Sequence, residues 1–152
     1  MHPAEKALLG HLQRDATLSV SALAERVGMS KTACWRRVKS LEDRGIIRDR
    51  VTLLDAEKIG LGVTIFVLVR TNQHHDDWLE RFTAAIDAIP EILEFYRLSG
   101  DADYLLRVVA QDIKAYDEIY KRLIKAVDLL DVSSSFVMET LKFTTALPLD
   151  QQ

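Results

Sequence analysis

The residues best suited to chemistry in this chain sit close together near its N-terminus. Ser30-Lys31-Thr32 is followed by Trp35-Arg36-Arg37 and Lys39. Read as a helix that starts after a Ser30 cap, this stretch puts Cys34, Val38 and Leu41 on one stripe. The opposite face carries Thr32, Arg36 and Lys39, with Trp35 on its flank and Lys31, Arg37 and Arg44 at the sides. Hydroxyl, guanidinium and ammonium groups on the outer face of one helix suit a polyanion with readable edges. Arginine can pair bidentately with guanine, while lysine and threonine can take bases or phosphates. The expected division is Thr32 and Arg36 on bases and Lys31, Arg37 and Lys39 on phosphates. Arg48 and Arg50, just downstream, are available to a phosphate backbone.

Charge is distributed accordingly. The 152 residues carry a net −3, which by itself argues against a nucleic-acid partner. Residues 1–54, however, hold ten Lys/Arg against six Asp/Glu, and residues 55–152 hold ten against seventeen. A basic first part and an acidic second part imply two functional halves.

No constellation for catalysis emerges, so the chain is not expected to be an enzyme. Gly60-Leu61-Gly62 is too short for a phosphate-binding loop, and the four histidines offer no Cys-His or Ser-His-Asp set. His74-His75-Asp76-Asp77 has metal-friendly residue types, but neighbours in a loop seldom converge on one ion, and capping the next helix is the expected role. No cofactor or metal is expected. The single cysteine, Cys34, excludes an intrachain disulfide framework and a multi-cysteine zinc site. Its place on the buried stripe favours a plain core residue over a redox sensor. No apolar run approaches the roughly 20 residues of a membrane span, and Met1 to Lys6 has no secretory pattern, so a cytoplasmic location is expected.

The elements that position these groups follow from periodicity. Ala4–Asp15 reads as a helix with Leu8, Leu9 and Leu12 inward. Ser19 can cap a second helix, in which Val20, Leu23, Ala24 and Val27 form an apolar stripe that Gly28 ends. The third helix runs from Ser30 to about Arg44 and stops at Gly45. Two helices joined by a short glycine-containing turn form a helix-turn-helix, with the small Ala24 at the crossing. Ile46–Asp55 reads as a short strand, and 56–62 as a hinge. This divides the chain into a helix-turn-helix domain at 1–54, a hinge at 55–62 and a second domain at 63–152.

The second half reads as strand (Val63–Thr71), helix (Trp78–Ile89, stopped by Pro90), strand (Glu91–Leu98) and strand (Tyr104–Ala110). A helix capped by Asp112 and a long final strand (Val132–Thr144) complete it. The fold class is α+β: an N-terminal helix-turn-helix domain plus a C-terminal ferredoxin-like βαββαβ sandwich domain. Both helices should cover one sheet face, leaving the other for a second copy of the chain, so at least a dimer is expected.

Several stretches, weak singly but specific in order and spacing, resemble the Lrp/AsnC family of transcription regulators over nearly the whole chain. They are Leu18-Ser19 through Gly28-Met29-Ser30, Arg36-Arg37-Val38 through Leu41-Glu42, Gly45-Ile46-Ile47, Leu54-Asp55 through Gly60-Leu61-Gly62, Gly100 through Leu106, and Met138-Glu139 through Leu149. The resemblance implies a sequence-specific DNA-binding regulator that dimerises through its C-terminal domain and assembles into octamers or larger rings. It also implies an amino-acid effector bound in a cleft between dimers. Matching positions for that cleft are Gly100, Asp101, Asp103 and Tyr104, with Ser134, Ser135 and Phe136 opposite. Asp103 could pair with an α-ammonium group, and backbone N–H groups of the glycine turn could take an α-carboxylate; a plain tight turn is the alternative for Gly100 and Asp101. The chain departs from the family pattern at Arg37, where an apolar residue is usual, which leaves the rotation of the recognition helix open. Thr32 through Arg37 and Gln73-His74-His75 through Trp78 further resemble a branch that responds to cysteine, a branch that also contains regulators of other amino acids' catabolism. Two other functions compete: an architectural protein that wraps DNA with little sequence demand, and an amino-acid-binding regulatory subunit of an enzyme. The charge split disfavours the second of these.

Overall fold

The computed structural model describes residues 1–73 and 75–149. It divides into two compact units. Met1–Leu53 forms one, joined by Leu141–Leu149, and Leu54–Thr140 forms the other. Among the described residues no helix is long and apolar enough to cross a membrane.

The first unit holds α1 (Pro3–Leu12), α2 (Val20–Arg26) and α3 (Lys31–Asp43). Local chemistry sets each start. The side chain of His2 accepts the Ala4 N–H at 3.1 Å, and the Glu5 carboxylate accepts the His2 N–H at 3.1 Å, with Pro3 in the first turn. Two orphan donors are thereby satisfied. That His2 backbone bond, aided by Arg44 at 2.9 Å, holds the Glu5 carboxyl below its usual range. Ser19 Oγ accepts from the Ala22 N–H and Ser30 Oγ from the Ala33 N–H. Gly28 and Gly45 end α2 and α3 at φ of 67° and 69°, where a side chain is disfavoured. Leu8, Leu23, Ala24, Cys34 and Val38 make the core, packed by Leu12, Leu18, Val27, Met29 and Ile47. Val20, expected on this stripe, is exposed. The C-terminal tail belongs here through Gln13, whose side chain donates to the Leu147 carbonyl and accepts the Leu147 N–H.

One stretch differs from expectation. Ile46–Asp55 is not a strand: among the described residues no strand pairs with it, and Val51, Leu53 and Leu54 stand exposed. The hinge at 56–62 is a compact turn, closed by Leu61 N–H to Ala56 O and started by the Asp55 carboxylate.

The second unit holds β1 (Val63–Arg70), α4 (Asp76–Asp87), β2 (Ile92–Arg97), β3 (Tyr104–Ala110), α5 (Ile113–Ala126) and β4 (Asp131–Phe136). The antiparallel strands are ordered β2-β3-β1-β4, the ferredoxin-like arrangement. Ile65, Val67, Val69, Leu106 and Val108 face the helices and meet Trp78, Phe82 and Ile86 of α4 and Tyr116, Ile119 and Leu123 of α5. Asp112 caps α5 through the Ala115 N–H at 2.7 Å. His75 sits at the N-cap of α4 without a side-chain cap bond and instead contacts the Gln73 side chain at 2.7 Å; the expected capping role is not fulfilled there, and His74 lies outside the described residues.

β2 does not alternate simply. Ile92 pairs with Val108 and Glu94 with Arg107, so Leu93 is an extra, bulged residue. Ile92 and Phe95, three apart, therefore both pack on the core while Leu93 is exposed. The final strand stops at Phe136 rather than Thr144. Its partner β1 begins at Val63; after Phe136 opposite Ile65 and the Val137 N–H to Thr64 O, no ladder remains to pair with.

Candidate DNA-reading helix and effector turn

On α3 the buried residues are Cys34, Val38 and Leu41, while Lys31, Thr32, Trp35, Arg36 and Lys39 are exposed and Arg37 is half-buried. Ser30 acts as the cap rather than as a free hydroxyl. Among the described residues Lys31, Arg36, Arg37 and Arg48 have no carboxylate within ion-pair distance. Lys39 pairs with Asp43 at 2.8 Å, and Arg50 with Glu42 at 2.9 Å. The Asp43 hydrogen bond raises the Lys39 ammonium above its ordinary value, so it stays charged but partly neutralised. Arg50 is likewise partly neutralised by its ion pair with Glu42. Among these candidate contacts the uncompensated charge thus lies on Lys31, Arg36, Arg37 and Arg48, and such charge is the main source of affinity for phosphates. Burial pushes the Cys34 thiol up, keeping it protonated, as expected of a core residue.

The effector residues separate into two groups. The turn that joins β2 to β3 passes through Gly100 at φ 140°, which a side chain would strain. Asp103 ties this turn to β1: its backbone N–H donates to Val69 O, its carbonyl accepts the Leu98 N–H, and its carboxylate accepts the Thr71 N–H at 2.8 Å. Thr71 is 5% exposed, so Asp103 satisfies a buried donor. Asp101 is exposed. The Tyr104 ring packs in the core, 5.3 Å from Phe95 and 5.8 Å from Trp78.

Strand alternation divides the second group. Ser134 pairs across from Val67 and Phe136 from Ile65, both on the helix side. The Tyr116 hydroxyl and Ser134 Oγ are hydrogen-bonded, and the Phe136 ring lies edge-on to Tyr116 at 5.4 Å. Ser135, opposite Phe66, faces the other way. Three successive strand residues cannot line one site with their side chains. Phe136 also lies about 14 Å along β1 from Val69, where the turn attaches, so within one chain the two groups do not close a single pocket. The helix-free sheet face carries Phe66, Leu68, Leu105 and Tyr96, with the Arg107–Glu94 ion pair at 2.7 Å among them. Sequence reasoning missed the Asp103–Thr71 clamp and this ion pair, because both join residues set side by side only by strand register.

A three-helix unit with a capped, cationic outer helix, followed by a ferredoxin-like sandwich, defines a DNA-binding regulator with a ligand-binding domain. Residues 1–48 match the winged helix-turn-helix DNA-binding family and residues 64–147 the Lrp/AsnC ligand binding domain. The chain is 52% identical to the DNA-binding transcriptional activator DecR of Escherichia coli (strain K12), over 96% of this chain and 97% of that one. The crystal structure of an AsnC family transcriptional regulator from Agrobacterium tumefaciens superposes with a TM-score of 0.94 at 52% identity, covering 99% of this chain and 98% of that one. A transcriptional regulator of Neisseria meningitidis in complex with L-Met gives a TM-score of 0.94 at 35% identity, covering 99% and 97%. The chain belongs to the Lrp/AsnC family of transcription regulators.

Proposed function

We propose that this regulator reads operator DNA with the outer face of α3 and that an amino acid bound by the sandwich domain alters its assembly or its grip on DNA. The observation that carries the DNA half is the uncompensated charge of Lys31 and Arg36 on a helix whose opposite stripe is buried. Thr32 and Arg36 address bases; Lys31, Arg37, Arg48 and, more weakly, the ion-paired Lys39 and Arg50 address phosphates. Function divides as the two units do, with DNA reading in the unit that holds Met1–Leu53 and sensing in Leu54–Thr140. The similarity to a regulator described with L-Met supports an amino-acid effector.

The apolar sheet face, with Phe66 and Leu68 each more than a third exposed, supports a homodimer formed by a second copy, and dimers assemble into octamers or similar rings. Because the turn at Gly100–Asp103 and the Ser135 region are apart within one chain, the effector is held where copies meet, and its binding biases the spacing of DNA-binding heads. The regulator works on double-stranded DNA in the cytoplasm and catalyses no reaction.

The test is a gel-shift titration on DNA just upstream of the chain's own gene, with and without a panel of amino acids that includes cysteine and methionine. Binding that survives nonspecific competitor and shifts with one amino acid is expected. Binding that competitor abolishes and no amino acid alters would overturn the reading in favour of a DNA-wrapping architectural protein.

A further inference from the structure

Trp35 is the one large apolar side chain that α3 turns to solvent, at 56% exposed. It belongs to neither core, and among the described residues its indole has no ring or hydrogen-bond partner. The fold therefore does not explain it. Its neighbours one helical turn away in each direction are Lys31 and Lys39, and Arg36 follows it directly. An occupant of this patch must carry negative charge and also offer something apolar to the indole. Duplex DNA does both in one place, because the thymine 5-methyl is the apolar group displayed in the major groove.

Helical geometry sets where that contact falls. Trp35 lies about 60° around the helix from Thr32 and about 100° from Arg36. With Thr32 and Arg36 pointing to the groove floor, the indole meets the groove wall, toward which thymine methyls project. We propose that Trp35 is a specificity-determining residue that packs against thymine methyl groups beside the bases addressed by Thr32 and Arg36. The inference rests on the reading of α3 as the DNA-contacting helix.

The experiment changes the DNA rather than the protein. Thymines of the protected segment upstream of the chain's own gene are replaced by deoxyuridine, which removes only the methyls. Affinities of the wild-type chain, Trp35→Ala and Arg36→Ala are compared on both duplexes at one salt concentration. Wild type should weaken about fourfold for each contacted methyl. Trp35→Ala should bind the thymine duplex about tenfold less tightly than wild type and should not distinguish the two duplexes. Its melting temperature should stay close to wild type, since the indole belongs to neither core. Equal sensitivity of wild type and Trp35→Ala to methyl removal, or no sensitivity in wild type, overturns the proposal. If Arg36→Ala weakens binding while Trp35→Ala behaves as wild type, only the Trp35 contact fails. If neither variant weakens binding, the reading of α3 fails with it. A change in sedimentation of Trp35→Ala without DNA also overturns the proposal, because the indole is then covered by another protein surface.

Discussion

Asp103 offers a substitution whose two consequences can be separated. Its carboxylate accepts the Thr71 N–H at 2.8 Å, and Thr71 is 5% exposed. Asp103→Ala leaves that donor without a partner. A buried unsatisfied donor costs about 1–3 kcal/mol, which for a unit of this size lowers the melting temperature by about 5–20 °C. Asp103→Asn keeps a carbonyl oxygen at the same reach, so most of that loss should be spared. If the same carboxylate also meets the ammonium of an amino-acid effector, however, Asp103→Asn should abolish the effector's influence on DNA binding. Thermal melting followed by circular dichroism reads the first effect, and the gel-shift titration with the amino-acid panel reads the second. An Asp103→Ala chain that melts with wild type would refute the clamp. An Asp103→Asn chain with an unchanged effector response would assign the carboxylate to the fold alone.

Other consequences follow from the same geometry. The Arg107 hydrogen bond holds the Glu94 carboxyl below its ordinary value of 4.5. The stability this pair adds is therefore full above that value and is lost as pH falls through the lower folded one; Glu94→Gln should flatten the acid limb of a stability-versus-pH curve below about pH 4.5, and an unchanged limb would show the pair to be inert. Leu41 is completely buried, so Leu41→Ala should cost about 2–5 kcal/mol. In so small a helical unit this should abolish DNA binding while the sandwich retains its strand signal, which denaturant titration and gel shift together can check. Gly45 ends α3 at φ 69° with nothing within 4 Å of a built Cβ. Gly45→Ala should thus cost only backbone strain, about 1–2 kcal/mol, and a melting curve indistinguishable from wild type would contradict it.

How far the chain could be read before folding depended on the range of the interactions. Ser19, Ser30 and Asp112 were recognisable as caps because a cap bonds a donor three residues on. The cap built from His2 and Glu5 was missed, since a histidine is an unusual acceptor there and Pro3 was the only ordinary signal. In β2 simple alternation would set Leu93 and Phe95 on one face and Ile92 and Glu94 on the other. The bulge that inverts it comes from the pairing with β3 and has no mark in the six residues themselves.

The amino-acid order alone determined the charge division, the helical stripes, the βαββαβ succession and the outward set of Thr32, Arg36 and Lys39 on α3. Each of these rests on periodicity or on neighbours within one helical turn. Tertiary structure decided the rest. It decided that β4 ends at Phe136, because β1 offers no further partners, and that Ile46–Asp55 is not a strand, because no strand among the described residues pairs with it. It also turned Tyr104 and Ser134 inward and gave Asp103 the Thr71 N–H to hold. Those outcomes depend on which distant backbone groups come to lie side by side, and a strand's register against its neighbours is set by the whole sheet and its core.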